Sequence, residues 1–189
     1  MLLDIDALKD FDVSDEEFWL TVPGLVEDKI FTVLNYQNYE IAWYGIIEPT
    51  RDNRFHLRDI KIFPQTVTGV TVETDEIKFA KWLGQLPDKD YSMMKLHCHS
   101  HVQMDVKPST TDLKYYQSQV EGMDDDDYKI FVIMNQWMEF DGILVDKKNK
   151  TVYPNMKYEV HVDSQSAIGG IYQNVTVLEP KGGAVIESA

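Results

Sequence analysis

The most informative stretch of the chain runs Leu96-His97-Cys98-His99-Ser100-His101. It continues, after the seven residues from Val102 to Pro108, with Ser109-Thr110-Thr111-Asp112. Residues 92–101 read as a strand. Side chains in a strand alternate between faces, so His97, His99 and His101 share one face while Cys98 and Ser100 take the other. Residues 109–120 read as a helix. Ser109 and Asp112 have the spacing of an N-terminal capping box, and Gly122 follows the last turn. A strand that hands over to a capped helix points to the α/β class.

The flanking segments extend that pattern. Ile77, Ala80, Leu83 and Leu86 recur every three residues, which predicts a helix over 75–86 ended by Pro87. Residues 128–135 read as an apolar central strand, 138–145 as its partner across a short turn, and 151–162 as an edge strand. Residues 39–47 and 55–63 read as strands, the latter with Ile60 and Ile62 on one face and Leu57 and Phe63 on the other. A further strand is expected over 67–72. Ser14-Asp15-Glu16-Glu17 has capping-box spacing and predicts a short helix through 18–20, and 29–34 predicts a strand. Together these give a mixed, curved β-sheet flanked by helices. One domain is expected over 1–165, with a flexible C-terminal extension over 166–189. Trp43, Trp82 and Trp137 are expected in the core, and one of Tyr115 and Tyr116 inside with the other exposed.

Composition narrows the function classes. The 189 residues include 43% hydrophobic and 12% aromatic side chains, enough for a sizeable core. Lys and Arg total 18 against 32 Asp and Glu, a formal charge of −14. Nucleic-acid affinity rests largely on phosphate neutralisation, so a chain this acidic is a poor candidate for it. The apolar run around 130–134 is far short of the ~18 residues of a membrane helix. Met1-Leu2-Leu3-Asp4-Ile5-Asp6 lacks the basic and apolar regions of a signal peptide. Cys98 is the only cysteine, so no internal disulfide can form. These features fit a cytoplasmic protein. Asp124 to Asp127 lack the alternating ligands and central glycine of a calcium loop and read as a solvated turn.

Alternating histidines at a strand end can offer two imidazoles to one cation. Taken alone, they read more readily as a polar sheet face. The downstream segment adds a carboxylate: a helix capped by Ser109 just past the strand end can aim Asp112 back at His99 and His101. Two histidines, one carboxylate and a fourth open position are the pattern of a catalytic zinc. Hydrolysis at such a site also needs a proton acceptor. Glu40, opening the apolar segment Tyr39-Glu40-Ile41-Ala42-Trp43-Tyr44-Gly45, is the best placed. By itself it reads first as an exposed strand end. Asp105 is the next candidate.

Glu40, the distant His99-Ser100-His101, seven residues, Ser109, two residues and Asp112 together resemble the JAMM motif of the JAB/MPN metalloprotease family. The resemblance spans Lys29 to Lys147, and compact prokaryotic and phage-encoded members are the most similar in size. It implies an MPN/JAB-like, cytidine-deaminase-like architecture. It also implies zinc-dependent hydrolysis of a peptide or isopeptide bond, often after the terminal Gly-Gly of a ubiquitin-like protein, as in deubiquitinases. On this resemblance His99, His101 and Asp112 are the metal ligands for one Zn2+ per chain. Glu40 is the general base that takes the proton of the attacking water and returns it to the leaving amine. Ser109 is the hydroxyl donor to the oxyanion. The partner implied is a protein substrate. The sequence departs from the family at Val102, where proline is usual, and at His97, where tryptophan is frequent. Gly45 also follows Glu40 at a longer interval than in many members. His97 is left with three readings: outer support of the metal ligands, substrate contact, or an ordinary strand residue.

Other functions compete. A non-catalytic MPN-type scaffold is one, although inactive relatives usually lose ligands and the set here is complete. Another metal-dependent hydrolase is the second. A zinc deaminase needs a Cys-x-x-Cys pair, which one cysteine excludes, and a metal phosphoesterase wants further His and Asp ligands downstream. Cys98 is expected to act as a small buried hydrophobe rather than a nucleophile. His56 and His161 have no ligand partner at useful spacing. Lys181-Gly182-Gly183 near the C-terminus has two readings: an ordinary flexible terminus, or a substrate mimic cut after Gly183.

Overall fold

The computed structural model describes residues 8–161 apart from 37, 52 and 70. The expected extension over 166–189, with Gly182 and Gly183, lies outside the described residues. In chain order the first elements are β1 (Asp12–Val13), β2 (Glu17–Pro23), α1 (Gly24–Leu34), β3 (Ala42–Pro49), β4 (Arg54–Ile62), β5 (Gln65–Val67) and β6 (Val72–Thr74). They are followed by α2 (Glu76–Leu83), α3 (Asp88–Ser92), β7 (Met94–His101), α4 (Thr110–Glu121), β8 (Tyr128–Asn135), β9 (Phe140–Asp146), β10 (Thr151–Tyr153) and β11 (Asn155–His161).

Among the described residues, nine strands form one mixed sheet in the order β1-β10-β9-β8-β7-β3-β4-β2-β11, and β5 with β6 forms a separate hairpin. Only Pro154 separates β10 from β11, yet β10 pairs with β9 and β11 with β2 on the far side of the sheet. One continuous segment therefore bridges both flanks, and the sheet curls to allow it. Gly142 on β9 allows a close approach: a Cβ there would sit 2.5 Å from Met156 Sδ on β11.

Strands β7 and β8 are the centre. They run parallel, joined by α4, with His101 level with Asn135. Ile130, Phe131, Val132, Ile133 and Met134 of β8 are all buried, which requires cover on both faces. One face carries Leu96, Cys98, Ile130 and Val132 against Trp43, Leu57 and the α1 residues Val26, Ile30, Val33 and Leu34. On the other, Tyr116 and Val120 of α4 pack on Phe131, Ile143 and Val145, with the Tyr116 and Phe131 rings stacked at 4.3 Å. Beside them, Tyr44, Phe63, Phe79 and Trp82 build a smaller aromatic cluster under α2.

The N-terminal third differs from the sequence expectation. Residues 17–23 are a strand, because Phe18, Leu20 and Val22 are buried in strict alternation. Ser14 caps no helix; its Oγ accepts the Glu16 N–H at 3.1 Å in a local turn. Residues 24–34 are a helix, since Val26, Ile30, Val33 and Leu34 fall on one helical face. Read from Lys29 onward, the branched run Ile30 to Leu34 imitates a strand. The expected strand over 67–72 is a turn between β5 and β6, and 151–162 splits at Pro154 into two strands. The helix expected over 75–86 stops at Leu83, and a short α3 follows Pro87. Within β4, Leu57 and Ile60 both face the main core and Ile62 is exposed, because a register shift between Ile46 and Ile47 interrupts the alternation against β3. Trp137 is exposed in the β8–β9 turn rather than in the core. Tyr115 and Tyr116 both pack inward.

Candidate metal centre

β7 places three imidazoles on the α4 side of the sheet, and each is buried: His97 is 6% exposed, His99 8% and His101 6%. At their C-terminal end the chain leaves the sheet through 102–108 and returns as α4. Ser109 is its N-cap, with a complete capping box: Ser109 N–H donates to Asp112 Oδ2 at 2.6 Å and Asp112 N–H to Ser109 Oγ at 3.3 Å. The box folds the Asp112 carboxylate back toward the strand. Its Oδ1 lies 3.1 Å from His99 Nε2 and its Oδ2 3.8 Å from His101 Nε2, and the two Nε2 atoms are 3.2 Å apart.

These separations can be tested against a cation. Ligands at ~2.0–2.1 Å in tetrahedral array stand about 3.3 Å from one another. The two Nε2 atoms at 3.2 Å match that value, and with one carboxylate oxygen the three donors all lie within 4.8 Å of one another. The chemistry of the donors agrees. His101 Nδ1 is 2.7 Å from the Asp105 carbonyl oxygen, which can only accept, so Nδ1 carries a proton and in the neutral ring Nε2 presents a lone pair to the site. His99, His101 and Asp112 could therefore hold a metal ion.

Burial pushes the Asp112 carboxyl up, but hydrogen bonds with His101 and His99 outweigh it and hold the group far below its usual range. Burial pulls His101 down; the Asp112 bond, the Asp105 carbonyl and the charges of Asp112 and Glu40 overcome this and raise it.

Glu40 precedes β3, whose Ala42 is level with His99 and Tyr44 with His97. Extending that register puts Glu40 beside His101 on the same face. The residue is 7% exposed, so the exposed-strand-end reading does not hold. Burial raises its pKa against the lowering charges of His101 and His99, with Asp112 raising it further. The strand end is held by groups with no signal in the sequence. Gln65 brackets Ala42, accepting its N–H at 2.9 Å and donating to its carbonyl at 2.8 Å. Ser100 Oγ accepts the Ile41 N–H at 2.9 Å. Gly45 is fixed by close approach: a Cβ there would meet Leu57 Cδ1 at 2.7 Å and Leu96 Cβ at 3.0 Å.

His97 stands outside the donor group. Its ring packs 4.5 Å from that of Tyr115 and 5.3 Å from that of Tyr44, whose hydroxyls are 3.3 Å apart. Its buried Nδ1 has no hydrogen-bond partner among the described residues. Burial, reinforced by His99 and Lys129, keeps it neutral. Cys98 points into the opposite core, and burial pushes its thiol well up. His56 lies on β4 and His161 at the end of β11, away from the centre. Asp105 is solvent-exposed, with its carboxylate engaged by Lys107 N–H at 2.5 Å.

No protein-family model matches the chain, and no curated protein matches it either. Among the described residues, no helix is long and apolar enough to cross a membrane. What fold and site define is an α/β protein with a buried two-histidine, one-carboxylate cluster at the C-terminal ends of two parallel strands, where α/β proteins commonly place their ligands.

Proposed function

We propose that the chain is a zinc-dependent peptidase or isopeptidase of the JAMM type, with an MPN/JAB-like fold. The observation that carries the proposal is the convergence of four groups, three of them buried and Asp112 half-buried. His99, His101 and Asp112 present donor atoms within 4.8 Å of one another, and Glu40, just before the adjoining strand, interacts electrostatically with all three. When bound, zinc supplies Lewis acidity to the scissile carbonyl and acidity to water.

The residues divide the remaining work. Glu40, with its raised pKa, accepts a proton from the attacking water and returns it to the departing amine. Ser109 Oγ accepts the Asp112 N–H, which leaves its own proton free for the oxyanion. The Asp105 carbonyl fixes the ring of His101. Burial of the cluster limits competing water.

The substrate class that fits is a protein, with a ubiquitin-like C-terminal Gly-Gly as the first bond to try. The buried, unpaired Cys98 supports an intracellular setting. The test is zinc content of the purified chain together with cleavage of a ubiquitin-like fusion, with Glu40→Gln as control. Stoichiometric zinc and cleavage lost in Glu40→Gln are expected. A chain that takes up no zinc, or a variant as active as wild type, overturns the proposal.

A further inference from the structure

Asn135 is the last residue of β8 and is fully buried at 0% exposure. It stands level with His101 on the neighbouring parallel strand. Its amide uses its full hydrogen-bonding capacity. Nδ2 donates to the Met104 carbonyl at 3.1 Å and to Glu139 Oε2 at 2.7 Å, and Oδ1 accepts from Trp137 N–H and Glu139 N–H, both at 3.1 Å. The orientation is dictated by the partners: backbone N–H groups only donate, and a carbonyl only accepts. The Met104 carbonyl is one peptide before the Asp105 carbonyl, which accepts the His101 Nδ1 proton at 2.7 Å. Between His101 and that contact the chain reverses at Gln103, whose φ is 52°.

We infer that Asn135 is a positioning residue for His101, a role that rests on the metal reading above. It clamps the Met104–Asp105 peptide, so that the Asp105 carbonyl stays in line with Nδ1–H and Nε2 stays directed toward Asp112 and His99. It also joins two segments distant in sequence, the 102–108 connection and the β8–β9 turn, into one wall of the site. Only an amide serves here. A carboxylate turns the two donor contacts into repulsions against the Met104 carbonyl and Glu139, and an apolar side chain leaves two N–H groups and a carbonyl unpaired.

Zinc and cobalt(II) titrations of wild type, Asn135→Asp and Glu139→Ala test the inference. Nitrogen-resolved NMR of the His101 ring in the metal-free proteins, at a pH high enough to leave the ring neutral, accompanies them. Asn135→Asp is expected to weaken zinc about 10–100-fold, the range for outer supports of metal ligands, and to shift the cobalt(II) visible spectrum. It should also lose the pure Nδ1–H tautomer of His101. Glu139→Ala, an exposed change that spares the fold, is expected to give a smaller shift in the same direction. Leu144→Ala in the opposite core should lower thermal stability without moving zinc affinity or the tautomer. The role is overturned if both site variants keep wild-type zinc affinity and the Nδ1–H tautomer. If wild type binds no zinc, the metal reading fails on its own. The tautomer, which needs no metal, then decides whether Asn135 positions the ring.

Discussion

Cys98 and His99 are neighbours on β7, both buried, and they face different surroundings. Cys98 looks into the apolar core beneath α1, where burial pushes its thiol pKa well up. His99 looks toward α4, into a pocket of imidazoles and carboxylates. The first face is satisfied by packing alone. The second collects buried polar groups that are costly without a shared partner, and a cation or a trapped proton can supply one. Burial by itself therefore does not distinguish structure from function here. The distinction lies in whether the buried atoms satisfy one another.

The polar face is the more sensitive of the two to substitution. His99→Ala or Asp112→Ala should abolish zinc binding, read by elemental analysis, and reduce hydrolysis to background. A folded variant that retains full zinc places the ligands elsewhere. Glu40→Gln should retain zinc and lose ~10²–10⁴-fold in rate, the usual span of general acid–base catalysis. Metal content and turnover measured on one preparation separate the two effects.

On the apolar face the expected sign reverses. Leu96→Ala, fully buried between Gly45 and the inner core, should cost about 2–5 kcal/mol in denaturant unfolding. Zinc stoichiometry at saturation should be unchanged.

A pH series sharpens the contrast. His101 is raised in the folded chain, so without metal its pairing contributes stability below its ordinary value of ~6.5 and loses it as pH rises through the higher folded value. Asp112 is lowered, so its share is present above ~3.9 and fades as pH falls. With zinc the trend on the alkaline side inverts, because protons compete for Nε2. The gain in Tm on adding zinc should therefore grow between pH 5.5 and 8, and it should do so equally in Leu96→Ala. The smallest expected effect is that of a thiol alkylating reagent: Cys98 should stay unmodified in the folded chain and activity unchanged, while a chelator removes it.

Much of the fold is visible in the residue order. The alternation of His97, His99 and His101, the apolar run of β8 and the Ser109–Asp112 box each carry a local signature that survives into the structure. Residues 14–34 misled because two local signals compete there. A capping-like Ser-x-x-Glu precedes a period-two strand, and a branched run ends a period-3.6 helix. Trp137 shows another limit. Its apolarity suggests a core place, but the turn held by Asn135 puts it at the surface.

By itself the sequence determined which groups could form a metal centre, because strand alternation and helix capping act over a few residues and set side-chain direction directly. Only the tertiary structure decided that Glu40 is buried beside His101. That depends on the register of β3 against β7, set by Gly45, Gln65 and Ser100 through contacts across 23 to 59 positions of chain. The same holds for the clamp at Asn135. A lone asparagine ending an apolar strand carries no pattern, and its meaning arises only when the parallel pairing of β7 and β8 sets it level with His101.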